Sequence, residues 1–186
     1  MLLNDHSKKI VLDLEALAKI AEGLKQAGHK IVVTIGSWDM LHIGHCRYLK
    51  KAKSTGDILI AGVDSDRAIK IYKGPMRPMI PEKERLEMLS YQEFVDFVTV
   101  VDDVDDKGAW QYALIKAVQP DVFIAVVDSY SKKQLEELRQ YCKEVIVLER
   151  QAETSTSNQL RKMMREFMDP MVKFLREHDI ITKESV

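Results

Sequence analysis

Residues 30–53 read KIVVTIGSWDMLHIGHCRYLKKAK, and the order of residue types in this stretch points to the fold class. Ile31, Val32 and Val33 are branched and apolar without alternation, as in a strand buried on both faces. A turn of small and polar residues follows from Thr34 to Asp39, and then a lysine-rich, helix-like segment. A buried strand, a tight turn and a helix start therefore meet where His42 and His45 stand three residues apart.

The alternation extends in both directions. Upstream, "DLEALAKIAEGLKQAGHK" carries Leu14, Leu17, Ile20, Ala21 and Leu24 at helical spacing and ends at Gly28, a C-cap residue. Downstream, "DILIAGV", "FVDFVTVV", "DVFIAVV" and "EVIVLE" read as strands. Between them "PEKERLEML" opens with Pro81, "AWQYALIKAV" stops at Pro120, and "SKKQLEELRQYC" reads as a helix. "TSNQLRKMMREFM" reads as a helix that Pro170 ends or kinks. Five apolar strands alternating with helices predict an α/β fold, a five-stranded parallel sheet doubly wound by helices in a Rossmann-like manner. One domain is expected over 1–186: an N-terminal helix in 1–29, the core in 30–168 and a C-terminal extension in 169–186. Met171, Phe174 and Leu175 in that extension are at helical spacing, to cover the sheet or to form an oligomer contact. The nine methionines read as core filling or interface. Ligands bind such sheets at the carboxyl ends of the strands, where strand order reverses.

Composition narrows the partners. The 186 residues are 46% hydrophobic and 31% charged, ordinary for a globular protein. With 28 basic and 29 acidic side chains, no nucleic-acid surface is indicated. Two cysteines without CxxC spacing fit a reducing compartment. Charges interrupt the start of the chain too often for a signal peptide, and no apolar run reaches membrane-spanning length. A cytoplasmic protein without a membrane partner is the expectation.

A helix start after a buried strand presents unpaired N–H groups and a positive dipole end, which favour an anion. Gly36 would let backbone approach that anion, and Gly44 leaves room beside the imidazoles. The dipole would hold His42 and His45 neutral, as two N–H donors aimed at a phosphate oxygen. A metal site with Asp39 as a third ligand is the rival reading, although the metalloprotease spacing is i, i+4 with an intervening Glu. Histidines with no chemistry are the remaining alternative.

"GSWDMLHIGH" resembles the G-x-F-D-x-x-H-x-G-H signature of the cytidylyltransferase-like nucleotidyltransferases, with Trp38 where Phe is usual. "TSTSNQL" resembles their second signature, a hydroxyl-rich turn opening the last helix. The likeness continues through "GDILIAGVDSD", "KGPMRPMIPEKERLEML", "VDFVTVVDD" and "QPDVFIAVVD". Within the family it is strongest to the heptose-phosphate adenylyltransferases, and Asp121 to Leu160 is also similar to the glycerol-3-phosphate cytidylyltransferases. The resemblance implies a nucleotidyltransferase fold and transfer of an NMP unit from a nucleoside triphosphate to a phosphorylated acceptor. ATP with a heptose 1-phosphate is the favoured pair, and CTP with a polyol phosphate the alternative. A nucleotide-binding protein without turnover, or a metal-dependent hydrolase, represents the other classes.

The resemblance also assigns roles. His42 and His45 would contact the triphosphate at the α-phosphate, and Thr34, Ile35, Gly36, Ser37 and Trp38 would wrap it with backbone N–H groups. Asp39 would orient that turn, beside Gly44. Ser155, Thr156 and Ser157 would hold the β- and γ-phosphates. Lys73 would bridge the attacking and α-phosphates, and Arg85 would bind a phosphate of acceptor or nucleotide. Arg150 and Asp128 fall on the nucleotide side, whereas Arg77 reads as a solvated loop charge. Mg²⁺ would bind through phosphate oxygens and water. A homodimer is expected by analogy. Two departures bear on base choice: Ala125, Val126 and Val127 replace a lysine and glycines, and Ile35 replaces an asparagine.

Overall fold

Strand β1 (Ile31–Gly36) lies in the centre of the sheet because its residues are apolar on both faces. The computed structural model describes residues 5–127 and 129–178. In it β1 pairs in parallel with β2 (Ile58–Asp64) on one side and β4 (Val122–Val126) on the other. Strands β3 (Phe97–Val101) and β5 (Glu144–Leu148) complete the order β3-β2-β1-β4-β5, all parallel. The order reverses between β1 and β4, so the carboxyl end of β1 opens onto the switch point.

Alternate residues of each strand feed two cores. Val32, Leu59, Ala61 and Val98 pack with Tyr48, Leu49 and Ala52 of α2 (Ile43–Lys53) and Leu86 and Leu89 of α4 (Glu82–Ser90). Ile31, Val33, Ile60 and Phe123 pack with Leu17 and Ala21 of α1 (Leu14–Gln26), Leu114 and Ile115 of α5 (Ala113–Val118), and Leu138 of α6 (Lys132–Leu138). Helices thus cover both faces, the arrangement expected from five apolar strands. Gly28, at φ +91°, stands just beyond the end of α1 as predicted.

Several local expectations change. Helix α3 (Asp66–Lys73) is only eight residues long, buries Ala68 and Ile69, and is capped by Ser65, which accepts from Ala68 N–H at 2.9 Å. The segment "AWQYALIKAV" is helical only from Ala113. Trp110 instead bridges Val104 in antiparallel fashion, and Asp103 accepts Ala113 N–H at 2.6 Å. Pro170 does not end the last helix, because α7 runs from Thr156 to Glu177 through it. Met171 and Phe174 do not cover the sheet, since no residue of α7 is buried and both are exposed. The methionines are not core filling: none of the described ones is in the core. No helix among the described residues is long and apolar enough to cross a membrane.

Candidate functional site

The carboxyl ends of β1, β2, β4 and β5 surround a cleft of about 790 Å³. Ile35, Gly36, Ser37 and Trp38 line it from the turn after β1, with His42, Gly44 and His45 from the start of α2. Ser155, Thr156 and Ser157 line it from the start of α7, and Lys73, Arg77 and Arg150 add three cations. The two sequence signatures, more than a hundred residues apart, therefore face one space.

The histidines are built into the helix start. His42 is the N-cap of α2, and its Nδ1 accepts Gly44 N–H at 3.1 Å. His45, at the N3 position, turns back so that its Nδ1 accepts His42 N–H at 3.2 Å. This is a capping box made from imidazoles instead of the usual Ser/Thr and Glu. With each Nδ1 acting as acceptor, each ring proton belongs on Nε2, which leaves two Nε2–H donors. Burial lowers the pKa of His42. Burial lowers that of His45 to about 4, with His42 and Lys73 adding to the effect. Both rings are thus neutral donors near pH 7, and burial is the leading cause where the sequence suggested the helix dipole. Gly44 leaves the space it was expected to leave: a Cβ there would stand 2.9 Å from His42 Cε1 and 3.1 Å from Ala152 Cβ. Gly36 differs, for a Cβ there would meet the Trp38 indole at 3.3 Å.

The turn between β1 and α2 is held from below. Trp38 (φ +49°) and Met40 (φ +51°) both adopt left-handed backbone, which non-glycine residues accept only when the surroundings demand it. Trp38 Nε1 donates to Gly62 O at 2.8 Å, and its ring stands edge-on to His45 at 5.6 Å. Asp39, 1% exposed, accepts from Met79 N–H and Ile80 N–H at 3.0 Å and from Arg77 Nε at 2.9 Å. These contacts tie the turn to the segment from Arg77 to Ile80. Arg77 is correspondingly not a solvated loop charge but the ion-pair partner of Asp39 at the edge of the cleft.

Two expected phosphate contacts are not provided for. Arg85 is 1% exposed and does not line the cleft. Its guanidinium donates to Ser37 O at 2.6 Å, Ile80 O at 2.8 Å and Asp66 Oδ1 at 2.7 Å, so it clasps the turn from beneath. Thr34 is fully buried, with its hydroxyl 2.7 Å from Tyr48 OH and 3.1 Å from Ile124 O, a core contact. Asp128 lies outside the described residues; Val126, at the end of β4, lines the cleft.

At the second helix start, Ser155 Oγ accepts Asn158 N–H at 3.2 Å, an N-cap. Thr156 Oγ1 donates to Asp39 O at 2.7 Å and so ties the second signature to the first. Lys73 is an exposed residue whose ammonium donates to Ser37 Oγ at 2.7 Å, and loss of hydration there lowers its pKa ahead of any charge effect. Asp64, Tyr72, Trp110 and Tyr130 also line the cleft. Sequence reasoning passed over them. The only available signal was a carboxylate ending an otherwise apolar strand.

Among the described residues no three His, Cys, Asp or Glu side chains gather to hold a metal. Asp39 spends its oxygens on Arg77 and backbone N–H groups, and both histidine Nδ1 atoms are engaged, so a His-His-Asp centre is not assembled. A Mg²⁺ ion held by phosphate oxygens and water would ask for no such cluster.

Comparison with known proteins agrees with this architecture. Residues 33–181 match the family described as cytidylyltransferase-like. Bifunctional protein HldE of Helicobacter acinonychis is 37% identical over 169 residues, covering 91% of this chain and 34% of that protein. HldE of Geobacter metallireducens is 49% identical over 75 residues, 40% of this chain and 15% of that one. The chain spans about a third of the length of the Helicobacter relatives. Among solved structures, a lipopolysaccharide core biosynthesis protein from Thermoplasma volcanium superposes with a TM-score of 0.57 at 25% identity, covering 65% of this chain and 97% of that one. Pantoate-beta-alanine ligase from Francisella tularensis, at 15% identity and TM-score 0.54, covers 80% of this chain and 68% of its own, and shares the fold.

Proposed function

The chain belongs to the cytidylyltransferase-like family, and from that premise we propose that it transfers AMP from ATP to a heptose 1-phosphate, giving ADP-heptose and pyrophosphate. The observation that carries this reading is the imidazole capping box, which leaves two neutral Nε2–H donors on rings that line a cleft shared with Lys73 and the start of α7.

The chemistry asks for no protein nucleophile. A phosphomonoester is largely ionised near pH 7, its second pKa being about 6. One of its oxygens attacks the α-phosphorus, and the bond from that phosphorus to the bridging oxygen breaks. Pyrophosphate leaves with the electron pair. The protein must align the two phosphates and stabilise charge as it develops on the α-phosphate oxygens. His42 and His45 donate to those oxygens without adding a proton, since both are neutral. Lys73 sets a positive charge between acceptor and α-phosphate. The start of α7 receives the leaving phosphates on backbone N–H groups. Mg²⁺, when bound through phosphate oxygens and water, supplies charge neutralisation there.

Adenine and heptose are favoured by the resemblance of the two signatures and their flanking segments to the heptose-phosphate adenylyltransferases. A second copy of the chain is the proposed cover for Met164, Phe167 and Met171, exposed on α7. The test is pyrophosphate release with Mg²⁺, each of the four nucleotides and a panel of sugar phosphates. ATP with heptose 1-phosphate should give the highest kcat/KM. A higher value with CTP and a polyol phosphate would move the reading to the alternative pair, and no release with any pair would overturn it.

A further inference from the structure

Lys73 is asked to hold a positive charge between two phosphates, yet its place in the chain is a loose one. It is the last residue of the eight-residue helix α3, and Gly74, at φ +94°, ends the helix directly after it. A lysine side chain at a helix end has much rotamer freedom to lose when its ammonium is fixed. Two contacts restrain it here. Ser37 Oγ accepts from Nζ at 2.7 Å, and the Tyr72 ring lies 5.4 Å from Nζ, within cation–π range.

Tyr72 is itself held twice. Its phenol donates to Asp64 Oδ2 at 2.5 Å, and its ring packs on Trp110 with centroids 5.8 Å apart and planes at 54°. Asp64 ends β2 and is 3% exposed, so the tie reaches into the sheet. Its Oδ1 is closed off from solvent and has no hydrogen-bond partner among the described residues. That oxygen therefore meets no ligand, and a buried carboxylate left half-paired is costly. What Asp64 does provide is an acceptor for the phenol and a negative charge toward Lys73. Burial raises its pKa to about 6, with Tyr72 and Lys73 opposing the rise, so it is mainly ionised near pH 7. Loss of hydration lowers the Lys73 pKa, and the Asp64 charge is the first to oppose that fall. Arg77, Arg85, Asp39 and His45 also face the ammonium, and Arg85, Asp103 and Tyr130 also face the carboxylate.

We propose that Tyr72, braced by Asp64, is the positioning residue for Lys73 and keeps its ammonium against Ser37, where the attacking and α-phosphates would meet. The sheet holds Asp64, Asp64 holds the phenol, and the ring holds the ammonium. The inference rests on the reading of the cleft as a nucleotidyl-transfer site.

Tyr72→Phe keeps the ring and cuts the tie to Asp64. Its kcat should fall about tenfold or more, since misplacement by about 1 Å can cost a hundredfold. In a Lys73→Met background the same change should cost less than about twofold, because the group it positions is gone. A purely structural role would cost as much in both backgrounds and would overturn the proposal, as would near-native kcat in Tyr72→Phe or in Lys73→Met. Asp64→Asn, which preserves volume and removes the charge, keeps the test open if Tyr72→Phe does not fold. In NMR spectra of protein carrying isotope-labelled lysine, the Lys73 signal is assigned by its loss in Lys73→Met. It should titrate at lower pH in Asp64→Asn than in the native protein, because losing a negative neighbour disfavours the ammonium. The titration needs no turnover and keeps two failures apart. No pyrophosphate release from any pair overturns the transferase reading, whereas an unchanged Lys73 titration overturns this one.

Discussion

The start of α2 and the start of α7 face the same cleft, but one is pinned on several sides and the other by a few hydrogen bonds. Around α2, His42 and His45 cap the helix, Trp38 is anchored to Gly62, Asp39 gathers Arg77 and two backbone N–H groups, and Arg85 clasps Ser37. Around α7, Ser155 caps the helix, Thr156 reaches Asp39 O, and no residue of the helix is buried. The contrast matches what each start is asked to do. Donors at the substituted phosphorus must be placed to fractions of an ångström, because their value depends on preorganisation. The far end of a polyphosphate tolerates a softer seat. Left-handed backbone at Trp38 and Met40 is the conformational cost of the stiff seat, borne by the contacts beneath it.

The largest effect expected from breaking this contrast is at Asp39. Asp39→Ala removes the partner of Arg77 and the acceptor for Met79 and Ile80 N–H, and losing one side of a buried pair costs about 3–5 kcal/mol. Urea unfolding should show that loss as a lowered midpoint, and a shift below 1 kcal/mol would mean that the turn is held elsewhere.

Next comes His45→Asn, which retains an acceptor for His42 N–H but removes the Nε2–H donor. kcat should fall by about a hundredfold or more, the scale for a lost transition-state donor, while stability at pH 7 changes by less than about 1 kcal/mol, as a conserved cap implies. Near-native turnover would remove the donor role. The same variant has a pH signature. His45 has a folded pKa near 4 against about 6.5 in the unfolded chain, so the unfolded state binds more protons between those values. The native protein should lose stability as pH falls from about 6.5 to 4, and His45→Asn should flatten that part of the curve.

The smallest effect belongs to α7. Ser155→Ala removes a cap worth about 1 kcal/mol, and with no buried residue the loss should stay within the helix. Amide exchange in its first turns should quicken by about fivefold while the global midpoint is unchanged. A global shift would show that α7 is tied to the core more firmly than its contacts indicate.

Legibility followed the same division. The strands were plain in the sequence because both faces of the sheet are covered and each strand is mostly apolar, as in "IVV" and "LIAGV". Helix α3 was missed because its eight residues make little more than two turns, too short a window for a helical period to stand out from its neighbours. Trp110 falls within "AWQYALIKAV", which reads as a helix, but its ring packs on Tyr72, far away in sequence. Arg85 and Thr34 looked like phosphate ligands because both stand inside or near a signature. Composition does not say whether a guanidinium faces the cleft or the underside of the turn.

By itself the sequence determined the α/β class, the two signatures and the residue types able to meet a phosphate chain, because these depend on local pattern and on the chemistry of single side chains. Only the tertiary structure decided which nitrogen of each imidazole is engaged and that Arg85 and Asp39 build the turn from below. The imidazole nitrogens are settled by partners two and three residues away within the folded turn, and the places of Arg85 and Asp39 by partners 48 and 40 residues away. Burial sets them, and burial is a property of the assembled fold.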